Sequence, residues 1–141
     1  MFESINLPAI LASWFFSFVS GFLWFGPKTL FPVWWKQMGK SPKEVPGGGR
    51  NMVATFGSVL IGQLIAIVTL GLVMEPLIEL GRVSSTLDGA LVGLLFGFGF
   101  AGATALGHRM FAGHGLIVWL IESGNDIVNL GIAGAILATW R

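Results

Sequence analysis

The sequence predicts an all-α membrane fold, a four-transmembrane-helix bundle, and three observations carry that prediction. Of its 141 residues 54% are hydrophobic, and the mean hydropathy is +0.80, far from the balance of a water-soluble domain. The apolar residues gather into long stretches at 5–25, 52–73, 87–106 and 116–140, each near the ~20 residues that cross a ~30 Å hydrocarbon layer. None shows the outward alternation of a membrane barrel, and backbone amides in lipid must find partners within their own segment, so the stretches are read as helices. They account for most of the chain, which is treated as one polytopic domain, 1–141.

The first stretch follows MFESINLPAILAS, which lacks the basic start of a cleavable signal peptide, and its apolar run reaches Phe25, too long for a signal's core. It is expected to be a retained helix, with Ser13, Ser17 and Gly21 at four-residue spacing along it. The segment 27–50 opens on the helix-stopping Pro27 and sets Leu30, Phe31, Val33, Trp34, Trp35 and Met38 among lysines. That composition fits a short amphipathic element lying in the interface after the first helix. Trp24, Trp34 and Trp35 would sit at headgroup level and Lys36 would reach water and lipid phosphate. The second stretch ends near Glu75 and Glu79, one turn apart, with a surface salt link to Arg82 expected. SSTLDGA then reads as a helix start, Ser85 capping and Asp88 at the third helical position.

The third stretch repeats small residues at Gly89, Gly93, Gly97, Ala101 and Ala105, and the fourth carries Gly131 and Ala135. Small residues at this interval let helix backbones approach in a membrane, so these positions are the expected packing faces. His108 and His114 flank Arg109 at the end of the third stretch without a third metal ligand, and are expected to be solvated.

Orientation follows from the cations. Lys28, Lys36, Lys40, Lys43 and Arg50 lie in the first connection and Arg109 in the third, against Arg82 and Arg141 on the other side, with Glu3, Glu75, Glu79 and Asp88 nearby. The positive-inside rule then puts the first and third connections in the cytoplasm and both termini outside.

Several function classes drop out. A formal net charge of +1 and the absence of a basic cluster interleaved with aromatics leave no nucleic-acid surface. With no cysteine there is no thiolate metal site, thiol nucleophile or disulfide framework. No triad, phosphate loop or cofactor motif appears, so no enzymatic role, cofactor or metal is expected.

One polar constellation stands out in this apolar setting. WLIESGNDIVNLG places Glu122, Asn125, Asp126 and Asn129 inside the last helix. Asp126 lies ~16 Å beyond Gly115, close to the midplane of a ~30 Å core. At ~100° per residue the four side chains form one stripe, with Gln63 of the second helix a further candidate partner. An ionised carboxylate there costs at least ~2.5 kcal/mol. No Lys or Arg occupies the middle of any stretch, so no ion pair is expected from within the chain. The acids would be protonated, bind a proton or cation, or face a wet cavity or a basic residue of another subunit.

WFGP at residues 24–27 followed by WWKQMG at 34–39, together with the closing helix WLIESGNDIVNLGIAGAILATW, resembles the bacterial integral membrane family catalogued as domain of unknown function 1761. The resemblance implies this architecture and a multi-pass place in a bacterial inner (plasma) membrane, with periplasmic or extracellular termini; it implies no activity. The expected function is a non-catalytic structural or accessory component of a membrane oligomer or complex, in contact with lipid and with itself or other subunits. The alternative is a small proton- or cation-coupled transporter or channel using the carboxylates of the last helix.

Overall fold

The computed structural model describes residues 6–49 and 51–140; Glu3, Ile5, Arg50 and Arg141, to which the sequence reading gives span or charge roles, lie outside the described residues. The described residues form helices joined by turns, with no strand among them, and the helices include four spans long and apolar enough to cross a membrane. The chain is a membrane-embedded protein.

The first span is α1, Leu7–Trp24. Asn6 caps it by accepting from the Ala9 N–H at 3.0 Å, while its own amide donates to the Trp140 carbonyl at 2.8 Å and ties the start of this span to the end of the last. The segment after Pro27 folds into the short helix α2, Phe31–Gln37. The second span, α3, runs Met52–Glu79, past the expected end at Val73. Glu75 and Pro76 break the apolar pattern but not the helix. Pro76 forfeits one backbone bond, and the carbonyls beyond it are taken up by the following turn, where Arg82 and Val83 both donate to Leu77.

The third span is continuous but not uniform. It comprises α4, Thr86–Phe96, a π-helical segment, Gly97–Gly102, and α5, Ala103–Phe111. Ser85 and Asp88 form the capping box that the sequence predicts. A turn with positive φ at Gly113 (76°) and Gly115 (77°), conformations that side chains with a Cβ resist, reverses the chain into α6, Gly115–Thr139.

α6 is the axis of the molecule. The third span packs antiparallel to it, with Gly89 on Gly134 and Ala138, Gly93 on Leu130 and Gly131, and Gly97 on Ile127. A Cβ at any of these glycines would fall within 3.0 Å of α6 backbone, so the contact exists only because those side chains are missing. The predicted ladder is displaced at two rungs. Gly102 is buried where Ala101 is half-buried, and Gly134 makes the contact while Ala135 is half-buried. At Gly102 the cause is the π segment, whose extra residue moves the packed face one position along the chain.

α1 packs antiparallel on another side of α6, in a register running from Asn6 beside Trp140, through Gly21 beside Asn125, to Trp24 beside Ile121 and Gly124. α3 is tied to α1 in mid-span, where Trp14 Nε1 donates to the Leu60 carbonyl at 2.9 Å, but contributes buried residues only at the end where the described chain begins and ends. There Ala9, Ile10, Ile67, Leu70, Met74, Val83, Ala133, Leu137 and Ala138 form the core. No residue of α3 before Ile67 is buried. The bundle is closed at this terminal end and open at the opposite, basic end, which carries the lysine-rich α1–α3 connection.

The expected salt link from Glu75 or Glu79 to Arg82 does not form. Among the described residues the ion pairs are Lys40 with Glu44 and Arg109 with Glu122.

Candidate intramembrane polar site

The sector predicted for the α6 polar residues is retained, since helix geometry alone places Glu122, Asn125, Asp126 and Asn129 within ~100°. Their neighbours divide them into three environments.

Glu122 is not without a cation. Arg109 Nε lies 2.5 Å from one carboxylate oxygen, and Trp34 Nε1 of α2 donates to the other at 2.8 Å. Arg109 Nη1 is also 3.2 Å from His114 Nδ1. The expectation that the chain offers no ion pair is thereby overturned. Arg109 sits at a span end, but its side chain is long, and the π segment aims it. Twelve residues after Gly97, an uninterrupted α-helix would carry Arg109 ~120° round from the packed face. Counted from Gly102, which takes over that face, Arg109 is seven residues on and within ~20° of it. The carbonyls loosened by the π turn find side-chain donors: Trp119 Nε1 on Gly102 at 2.8 Å, and Thr104 on Phe100.

Asn125 and Asn129 are 6% and 4% exposed and joined by one bond, Asn129 Nδ2 donating to Asn125 Oδ1 at 3.1 Å. They face α1. A Cβ on Gly21 would lie 3.8 Å from Asn125 Oδ1, and the register sets Ser17 opposite Asn129 and Ser13 opposite Ala133. Ser13 and Ser17 are 0% and 1% exposed. Among the described residues, Ser13 Oγ, Ser17 Oγ, Asn125 Nδ2 and Asn129 Oδ1 are buried without a hydrogen-bond partner, as is Ser123 Oγ elsewhere on α6.

Asp126 is exposed. It shares a helical sector with Ala133, seven residues on and 0% exposed. α3 covers that sector at the terminal end and leaves it open at the depth of Asp126. Gln63 lies four, seven and eleven residues before Ile67, Leu70 and Met74, hence on the inward stripe of α3, and is half-buried. No hydrogen bond joins it to the α6 polar groups among the described residues.

The tryptophans assigned to the headgroup layer direct their indole N–H groups into protein. Trp24 donates to Ile121 O and Trp35 to Ser41 O, both at 2.9 Å, and Trp34 to Glu122; Lys36 is exposed. His108 is exposed, and no group of three metal-ligating side chains occurs among the described residues. Sequence reasoning passed over Arg109 and Trp34 as partners of Glu122 because both lie outside the apolar stretches it searched for partners. It noted only the four-residue spacing of Ser13 and Ser17, which does not by itself show that they face Asn125 and Asn129.

Compared with known proteins, residues 8–138 match the model of a family described as Protein of unknown function (DUF1761). No curated protein and no solved structure matches the chain.

Proposed function

Since the chain belongs to the DUF1761 family, whose description carries no activity, we propose from its own geometry that it is a non-catalytic accessory subunit of a membrane complex. Its open side, in this reading, receives a helix of another membrane protein. The observation that carries the proposal is Asp126, an exposed carboxylate near the midpoint of a 25-residue apolar helix. Facing acyl chains, it would cost at least ~2.5 kcal/mol. Among the described residues no cation of this chain is free at that depth. Arg109 is held by Glu122, Lys28, Lys36, Lys40 and Lys43 belong to the α1–α3 connection, and Arg82 is at the other end. A second copy therefore brings no complementary charge, whereas a helix with a basic side chain at mid-depth does.

The same opening supports a second reading, a proton or cation site at Asp126 with Gln63 on the facing stripe. Glu122 contributes less to it than the sequence implied, because both of its oxygens are engaged.

Reconstitution with designed oligo-leucine transmembrane peptides separates the two. Energy transfer to a peptide with a central Lys, absent for the all-Leu peptide and lost in Asp126→Asn, is the expected result. Equal transfer to both peptides, or none, would sink the docking proposal. A proton or cation flux above that of empty liposomes, abolished by Asp126→Asn without loss of fold, would replace it with the second reading.

A further inference from the structure

The seam between α1 and α6 holds polar groups that neither reading uses. Ser13, Ser17, Asn125 and Asn129 come from two helices, are each at least nine-tenths buried, and line one seam in the antiparallel register that sets Gly21 beside Asn125, Ser17 opposite Asn129 and Ser13 one turn beyond. Their mutual bonding stops at the single Asn129–Asn125 link, which leaves an amide nitrogen, an amide oxygen and two hydroxyls unpartnered. Exchanging the oxygen and nitrogen of both amides still leaves one of each open. Such groups are costly to leave unbonded in a protein interior and costlier in hydrocarbon, where solvent cannot relieve them. Serines on membrane helices commonly bond back to their own backbone, yet these two do not.

We propose that this seam is an internal hydration site, in which water bridges the Ser13 and Ser17 hydroxyls to the free amide groups of Asn125 and Asn129. The chemistry of the set identifies the ligand class. Donors and acceptors are both present and none of the four groups carries charge. A dehydrated cation would meet the Asn125 amide hydrogens and no compensating carboxylate, while a molecule that donates and accepts at once satisfies all four. Trp24 closes the seam toward the basic end, its indole N–H bonded to Ile121 O and its ring 3.2 Å from the position a Cβ on Gly124 would take. Water held here would exchange slowly, as buried structural water does.

The sign of a stability change tests this. A polar group bonded to water is missed when deleted, and an unbonded one is not. Ser17→Ala is expected to lower the melting temperature in nanodiscs by ~3 °C or more, about what one lost hydrogen bond gives in a chain of this size. Ser58→Ala, where the hydroxyl bonds only to Thr55 O at the surface, serves as the control with little change. An unchanged or raised melting temperature for Ser17→Ala would overturn the site. A parent melting temperature that differs among sodium, potassium and N-methylglucamine buffers would overturn its neutral character. In a high-resolution map of the parent, density within hydrogen-bond reach of Ser17 Oγ and Asn129 Oδ1 is the expected result, and direct side-chain bonding with no such density overturns it.

Discussion

Gly93→Ala should destabilise the protein although alanine is the better helix former. A Cβ at Gly93 would lie 2.7 Å from the Leu130 carbonyl carbon and 3.0 Å from Gly131 Cα, and closer still to the Leu130 oxygen. Ordinary carbon contacts need ~3.5 Å, so the third span and α6 must separate by roughly 1 Å. Overpacking of this kind costs ~1–3 kcal/mol, here toward the upper end because the obstacle is backbone and has no rotamer to change. Against it stands a helix-propensity gain of ~1 kcal/mol. The net expectation is a loss of ~1–2 kcal/mol, or a fall of roughly 4–8 °C in melting temperature for a chain of this length. Gly107→Ala supplies the opposite sign. Gly107 lies in α5, and a methyl group added there would meet nothing within 4 Å, so only the propensity gain of ~0.5–1 kcal/mol remains. Thermal unfolding in detergent micelles, followed by circular dichroism and tryptophan fluorescence, measures both variants. Gly93→Ala melting at or above the parent would show that these backbones are not in contact, and the glycine ladder would lose its meaning.

The Arg109–Glu122 pair is partly exposed, at 34% and 17% of the two side chains, so Arg109→Met or Glu122→Gln alone should cost ~1–3 kcal/mol. The double variant should cost less than the sum of the singles, and a double-mutant cycle giving no coupling would contradict the pairing. Deleting Gly99, which has open space around it, should convert the π segment to α-helix and leave Arg109 eleven residues after Gly97, still within ~20° of the packed face. The coupling to Glu122 should then persist with the helical content, and its loss would contradict the reading that the π segment absorbs one extra residue. In the α1–α3 connection, the Ser41 backbone N–H and then Lys40 hold Glu44 below the ordinary carboxylate range. A lowered folded-state pKa means that the turn's support is full above the unfolded-state value and is lost as pH falls through the lowered one. Carbon-13 titration should show Glu44 protonating below a glutamate in an unstructured peptide, and Lys40→Ala should restore only part of the difference.

What could be read from the sequence were features that depend on neighbours along the chain. Hydrophobic length gave the spans, because the oil layer fixes how many helical residues must be apolar. Ser85 and Asp88 were legible as a cap, since both partners of a capping box lie within one turn. The sector shared by Glu122, Asn125, Asp126 and Asn129 followed from helical period alone. Less accessible was the partner of Glu122. Trp34 is 88 residues away and Arg109 thirteen, and neither lies in the run of apolar residues where a buried pair would be sought. FGFGFAG carried a trace of the π segment, in that burial passes from Gly97 to Gly102 at a spacing of five rather than four, but that is visible only once α6 is in place.

The chain by itself therefore determined an all-helical membrane architecture, the approximate places of its spans and the presence of a polar sector on the last helix, because oil tolerates unpaired backbone nowhere and helical period is local. Only the tertiary structure decided how that sector is divided. The antiparallel approach of α1 buries Asn125 and Asn129, the π turn swings Arg109 onto Glu122, and α3, whose buried residues begin only at Ile67, leaves Asp126 uncovered. Each outcome depends on where a second helix lies, which the period of one helix does not encode.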